Sequence, residues 1–213
     1  MKFGDLLRIV GDGPLFETGL LLAGDVDPAD IRRQLSRWES LGKVYQLRRG
    51  LYALAPPFQK TVPHPFLAAN RMARGSYVSL QSALSHHGMI PEHVPVTTSV
   101  TPGRPFRSET PIGVFEFRHM RRNLVWGFRL TPLGGGQEAF VAGPEKALLD
   151  LIYLEPGGDS PDYVNELRLQ HLDTLDWDAL ESTARRAGKP KLLRAAARIA
   201  RLAEEQAVEY ETL

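Results

Sequence analysis

The chain has 213 residues, 43% hydrophobic and 24% charged, with a formal net charge of +1 and no cysteine. That length and composition suit one large or two small globular domains and exclude wholesale disorder, collagen and a coiled-coil rod. Without cysteine there is no disulfide framework, no thiolate zinc site and no cysteine nucleophile. The opening residues carry Asp5 and no apolar core of a signal peptide, and Leu20-Leu21-Leu22-Ala23 is far too short to cross a bilayer. A soluble, cytoplasmic protein without a membrane partner is the expectation.

Phe3, Leu6, Leu7 and Val10 fall at helical spacing and stop at Gly11-Asp12-Gly13-Pro14. Leu15 to Ala23 reads as a second short helix closed by Gly24. Asp27-Pro28-Ala29-Asp30 is a strong helix start: Asp27 can cap free amides, Pro28 suits the first turn and Asp30 favours the positive end of the dipole. This third helix is expected to run to about Leu41 and end at Gly42. Lys43–Leu47 and Leu51–Leu54 read as strands joined by Arg48-Arg49-Gly50 as a hairpin tip. Three helices and a two-stranded ribbon in this order predict a winged helix-turn-helix over residues 1–57.

Between Pro28 and Leu54 six bases stand against two acids, a local basic cluster in a nearly neutral chain. On a helical wheel Ile31, Leu35, Trp38 and Leu41 share one face of the third helix, and Arg33, Ser36, Arg37 and Ser40 the other, with Arg32 at the flank. A major groove admits one helix, and arginine reads guanine there bidentately. Arg48 and Arg49 at the tip would reach the backbone or the minor groove, and Lys43 a phosphate. The expected partner is therefore double-stranded DNA. A polar outward face is also what any amphipathic surface helix presents.

Pro56, Pro57, Pro63 and Pro65 mark a linker or rigid junction, after which residues 58–213 form the second domain. Helices are expected near 66–74, 79–87, 144–153, 162–171, 176–187 and 190–208. Strands are expected at Val94–Val100, Ile112–Arg118, Val125–Leu130 and Glu138–Ala142, with Gly134–Gly136 as a hairpin loop. Strands followed by helices predict an α+β class.

Three segments resemble those of AbiEi-type antitoxins. They are the wing Arg48-Arg49-Gly50-Leu51-Tyr52-Ala53-Leu54, the helix Tyr77-Val78-Ser79-Leu80-Gln81-Ser82-Ala83-Leu84-Ser85-His86-His87-Gly88, and the later Val141-Ala142-Gly143-Pro144-Glu145-Lys146-Ala147-Leu148-Leu149-Asp150-Leu151. The last roughly fifty residues match in helical character only. The resemblance implies a repressor that binds inverted repeats in its own promoter, with two copies on DNA. It also implies an antitoxin domain acting against a nucleotidyltransferase-like toxin in a type IV system, some of which serve abortive infection and phage defence. A stable complex with the toxin is not required in such systems. The alternative is an interaction module that holds a toxin directly, its winged helix unused for specific DNA binding.

Other residues invite sharper readings. His86-His87 are adjacent and point about 100° apart, and His64 and His93 lie far off in sequence, so surface or capping roles are expected rather than a metal site. Glu145, Lys146 and Asp150 evoke a nuclease set but sit at a helix start, and no nucleophile and base converge, so neither enzyme activity nor a cofactor is expected. Phe115, Phe117 and Trp126 read as core or interface aromatics on strands. Lys191, Arg194, Arg198 and Arg201 form a row on the last helix, read as a solvated face or, alternatively, as a surface for a polyanion or for antitoxicity.

Overall fold

The computed structural model describes residues 1–22, 26–92 and 94–211, so that Ala23, Gly24 and His93 of the readings above lie outside the described residues. The class is mixed α+β, with two sheets and a set of helices gathered toward the C-terminal end.

Helix α1 (Phe3–Val10) buries Leu6 and Val10, and Asp5 accepts a hydrogen bond from the Lys2 amide at 2.8 Å. Helix α2 (Pro28–Ser40) starts as expected: Asp27 accepts from the Ala29 amide at 2.8 Å and Pro28 opens the first turn. Gly42, at φ +65°, follows its end. Strand β1 is Phe16–Glu17, β2 is Val44–Arg48 and β3 is Leu51–Leu54; they form a sheet in the order β1-β3-β2. Gly50 turns the β2–β3 hairpin at φ +83°, a conformation that costs glycine nothing.

The helix expected over Leu15–Ala23 is a correction. Phe16 and Glu17 pair with Tyr52 and Leu51 of β3, and a single 3-10 turn covers Thr18–Leu22. The Phe16 ring stacks on Tyr52 at 5.6 Å, and the Thr18 amide donates to the Gly50 carbonyl at 3.0 Å. Long-range pairing to β3 overrides a local pattern that contains Gly19.

The larger sheet runs β6-β7-β5-β4-β9-β8. Its strands are β4 (Tyr77–Val78), β5 (Val96–Thr101), β6 (Phe106–Thr110), β7 (Gly113–His119), β8 (Phe128–Gly134) and β9 (Gln137–Ala142). The β4–β9 and β5–β7 pairs are parallel and the others antiparallel. Because β4 spans two residues, it leaves part of β9 without a neighbour. Asn70 fills that place, accepting from the Phe140 amide at 2.6 Å and donating to its carbonyl at 3.4 Å.

Helices α3 (Pro65–Met72) and α4 (Leu80–His86) pack on this sheet, and α5 (Pro144–Leu154) packs against α4. Every residue of α5 from Lys146 to Ile152 is buried, as in a helix covered all round. Helices α6 (Pro161–Glu166), α7 (Trp177–Ala187) and α8 (Pro190–Glu211) complete the cover.

Three further expectations need correction. The strand expected from Val125 begins at Phe128 and runs to Gly134, because Arg122–Leu124 form a 3-10 turn and Gly127 takes φ +76°. The helix expected over 162–171 ends at Glu166, and Arg168 and His171 both adopt positive φ. Strands β4 and β6 are additional, and both depend on pairing with distant segments rather than on their own pattern. Apolar residues form two clusters, and Leu47 and Leu51 of the hairpin belong to the larger one, beyond residue 58. Packing thus crosses the boundary that the proline-rich stretch suggests. No helix among the described residues is long and apolar enough to cross a membrane.

Candidate nucleic-acid interface

Helix α2 divides into two faces. Ile31, Leu35 and Trp38 are buried against α1 and the small sheet, whereas Leu41, expected on the same face, caps the end of the helix and is exposed. Arg32, Arg33, Ser36, Arg37 and Ser40 are all exposed. Burial of the apolar stripe sets the rotation of the helix, and the basic face follows from it.

The exposed side chains are partly held in place. Arg33 is ion-paired with Asp30 one turn earlier, and the Arg32 Nε donates to the Pro28 carbonyl at 3.1 Å. The Ser40 hydroxyl donates to the Ser36 carbonyl at 2.7 Å. Among the described residues Arg37 and Arg49 stand in no ion pair. Exposed pairs such as Arg33–Asp30 contribute roughly 0.2–1 kcal/mol and exchange readily for a phosphate.

The ribbon residues differ from one another. Arg49 is exposed at the tip. The Arg48 guanidinium instead clamps the end of α3, donating from Nε and Nη2 to the Arg71 carbonyl at 3.2 and 3.1 Å. Lys43 is half-buried with its Nζ 4.7 Å from the centre of the Phe3 ring. Five residues on α2 and Arg49 at the tip are therefore open to solvent, while Arg48 and Lys43 take part in packing. A second link between the two clusters, Arg74 to Glu17 at 2.9 Å, has no signal in the sequence.

Lys191, Arg194 and Arg198 are engaged with the loop after α5. Lys191 Nζ donates to the Glu155 carbonyl, Arg194 pairs with Asp159 at 2.7 Å, and Arg198 donates to the Asp159 carbonyl at 2.7 Å. The hydrogen bond from Arg194 holds the Asp159 carboxyl below its ordinary range. Arg201 is exposed.

Glu145, Lys146 and Asp150 do not converge on an open cleft. Glu145 turns toward α7 and accepts from the Asp176 amide at 3.1 Å. Lys146 and Asp150 are 6% and 4% exposed and form an ion pair one turn apart. The Tyr77 and Ser79 hydroxyls donate to Asp150 Oδ2 at 2.8 and 2.9 Å, and Lys146 also donates to Tyr77 at 2.8 Å. Burial pushes the Asp150 carboxyl up and the Lys146 ammonium down, each opposed by its partner, and it raises the Tyr77 phenol strongly. Trp126 covers the lysine at 5.2 Å and is itself covered by Arg186 at 4.1 Å. Trp126 thus lies ahead of β8 rather than on a strand, whereas Phe115 and Phe117 are fully buried in β7.

Two distant segments meet here: Tyr77 and Ser79 come from the β4–α4 junction, Lys146 and Asp150 from α5. These four side chains form a buried polar lock. Sequence spacing pairs Lys146 with Asp150 across one helical turn. Nothing in it brings Tyr77 and Ser79 to them.

His87 Nε2 lies 2.8 Å from the Ala142 carbonyl, and His64 Nδ1 accepts from the Phe66 amide at 3.1 Å as a cap on α3. Among the described residues no three histidine or carboxylate side chains gather where a metal ion would bind. No family model and no curated protein matches the chain.

Proposed function

We propose that this protein is a DNA-binding transcriptional repressor of its own operon, reading inverted repeats through α2, with two copies on the operator. Residues 1–57 act as a winged helix-turn-helix. One observation carries the reading: α2 buries Ile31, Leu35 and Trp38 and leaves Arg32, Arg33, Ser36, Arg37 and Ser40 open to solvent. The order of α1, the 3-10 turn, α2 and the β2–β3 hairpin, with Arg49 at the tip, supports it. Arginines on one helix face suit base edges in a major groove, and the serines suit phosphates.

The second half of the proposal is antitoxicity. Residues 58–213 counteract a nucleotidyltransferase-like toxin in a type IV arrangement, without a required stable complex. Its support is the resemblance at 77–88 and 141–151, of whose polar residues Tyr77, Ser79, Lys146 and Asp150 meet in one buried cluster.

The test is binding of the purified protein to its promoter fragment and to scrambled DNA at two salt concentrations, with Arg33→Ala/Arg37→Ala alongside. The expected result is a preference for the promoter that weakens steeply with salt and is lost in the variant. No preference at either salt overturns the repressor reading. Rescue of growth during co-expression with a neighbouring nucleotidyltransferase tests the second half separately.

A further inference from the structure

Helix α8 has a charge order opposite to its own dipole. From 190 to 201 it carries Lys191, Arg194, Arg198 and Arg201 and no acid; from 204 to 211 it carries Glu204, Glu205, Glu209 and Glu211 and no base. A helix N-terminus favours anions and a C-terminus favours cations. Lys191, Arg194 and Arg198 are offset by the loop at 155–159. Among the described residues nothing comparable faces Glu204 and Glu205, which are exposed.

The same helix lines an open groove of about 1630 Å³. Trp177 and Leu180 of α7 form one wall. Leu193, Ala197, Ala200 and Glu204 of α8 form the other, spaced by four, three and four residues. That spacing is the seam of a paired helix, and alanine on a seam lets two backbones approach closely. Leu193 is 41% exposed and Ala197 is open to solvent, although both lie on the apolar side of the helix.

We propose that this groove receives α8 of a second copy of the chain, antiparallel, with Ala197 of one copy opposite Ala200 of the other. An antiparallel partner sets Glu204 and Glu205 of each helix beside the N-terminal turns of the other, the end of a helix that favours anions. It also opposes the two dipoles and covers Leu193. A parallel partner would place like charges side by side. The inference concerns the protein alone and stands independently of DNA binding, although two copies joined this way would suit a two-fold operator.

The full-length chain tests it by light scattering after size-exclusion chromatography, over a range of protein and salt concentrations. The expected result is a concentration-dependent dimer that weakens as salt rises. Ala197→Glu/Ala200→Glu keeps good helix formers at both positions and should weaken the dimer at least about tenfold, with the circular dichroism spectrum unchanged. Because the chain has no cysteine, single-cysteine variants report orientation directly. A mixture of Ala197→Cys and Ala200→Cys should form the cross-linked dimer faster than either variant alone or than Asn165→Cys on α6. A chain that stays monomeric at its highest soluble concentration overturns the proposal. So does a dimer that the double glutamate variant leaves intact, or one that cross-links best between two Ala197→Cys copies.

Discussion

The Tyr77 hydroxyl donates to Asp150 Oδ2 at 2.8 Å, joining residues 73 positions apart within the larger of the two apolar clusters. Ser79 and Lys146 supply the other bonds to the same carboxylate. The cluster therefore ties the β4–α4 junction to α5, and it does so inside a low-dielectric core where a missing partner is costly.

Removing one member should be more damaging than removing the charge pair together. Lys146→Met alone leaves Asp150 buried without its cation, and a loss of about 3–5 kcal/mol is expected. Lys146→Met with Asp150→Leu should recover a large part of that loss, because both desolvation costs disappear. Urea unfolding of the two single variants and the double variant measures the coupling. A loss in the double variant equal to the sum of the two single losses would show that the pair does not act as a unit.

Gly127 is expected to reject any side chain. A Cβ there would lie 2.9 Å from Cγ of Lys146, and its φ of +76° is unfavourable for an L residue. Gly127→Ala should destabilise the protein by roughly 1–3 kcal/mol. Gly134→Ala, also at positive φ but with open space around it, should cost less. Paired thermal melts of the two variants compare the steric and conformational contributions.

His64 makes stability depend on pH. Its Nδ1 accepts from the Phe66 amide and burial holds its pKa below 6.5, so folding favours the neutral ring. The unfolded chain then binds more protons, and the contribution is complete above about pH 6.5 and lost as pH falls from there toward the lower folded value. His64→Asn keeps a capping acceptor without a titrating ring. The variant should lose less stability than the wild type between about pH 7.5 and about pH 5.5. Identical slopes would remove His64 as the source.

Arg48 and Arg49 should separate in their effects although they are neighbours. Arg48→Ala removes the hydrogen bonds to the Arg71 carbonyl and should lower stability by about 1 kcal/mol. Arg49→Ala should leave stability unchanged and reduce the salt dependence of DNA binding by about one phosphate contact. Melting curves together with binding at several salt concentrations distinguish the two. A stability loss in Arg49→Ala with none in Arg48→Ala would reverse the assignment.

Local information was enough for α2. Asp27 and Pro28 start it, Gly42 follows it, and the apolar spacing of Ile31, Leu35 and Trp38 determines which residues face outward. The basic face was therefore readable from the sequence, as were α5, α7 and the β8–β9 hairpin around Gly134–Gly136. Each rests on interactions within a few turns or across one tight turn.

Tertiary structure decided what depends on distant partners. Leu15–Leu22 carries an acceptable helical pattern, yet pairing with Tyr52 and Leu51 turns its start into a strand. Arg48 belongs to the basic cluster by composition but to α3 by its hydrogen bonds. Lys191, Arg194 and Arg198 read as a solvated row, but three loop acceptors from 155 to 159 engage them. Tyr77, Ser79, Lys146 and Asp150 become one cluster only when β4 and α5 pack together. A sequence records the spacing that shapes one helix or hairpin; which buried polar group meets which is settled by packing, where each desolvated donor must find its acceptor.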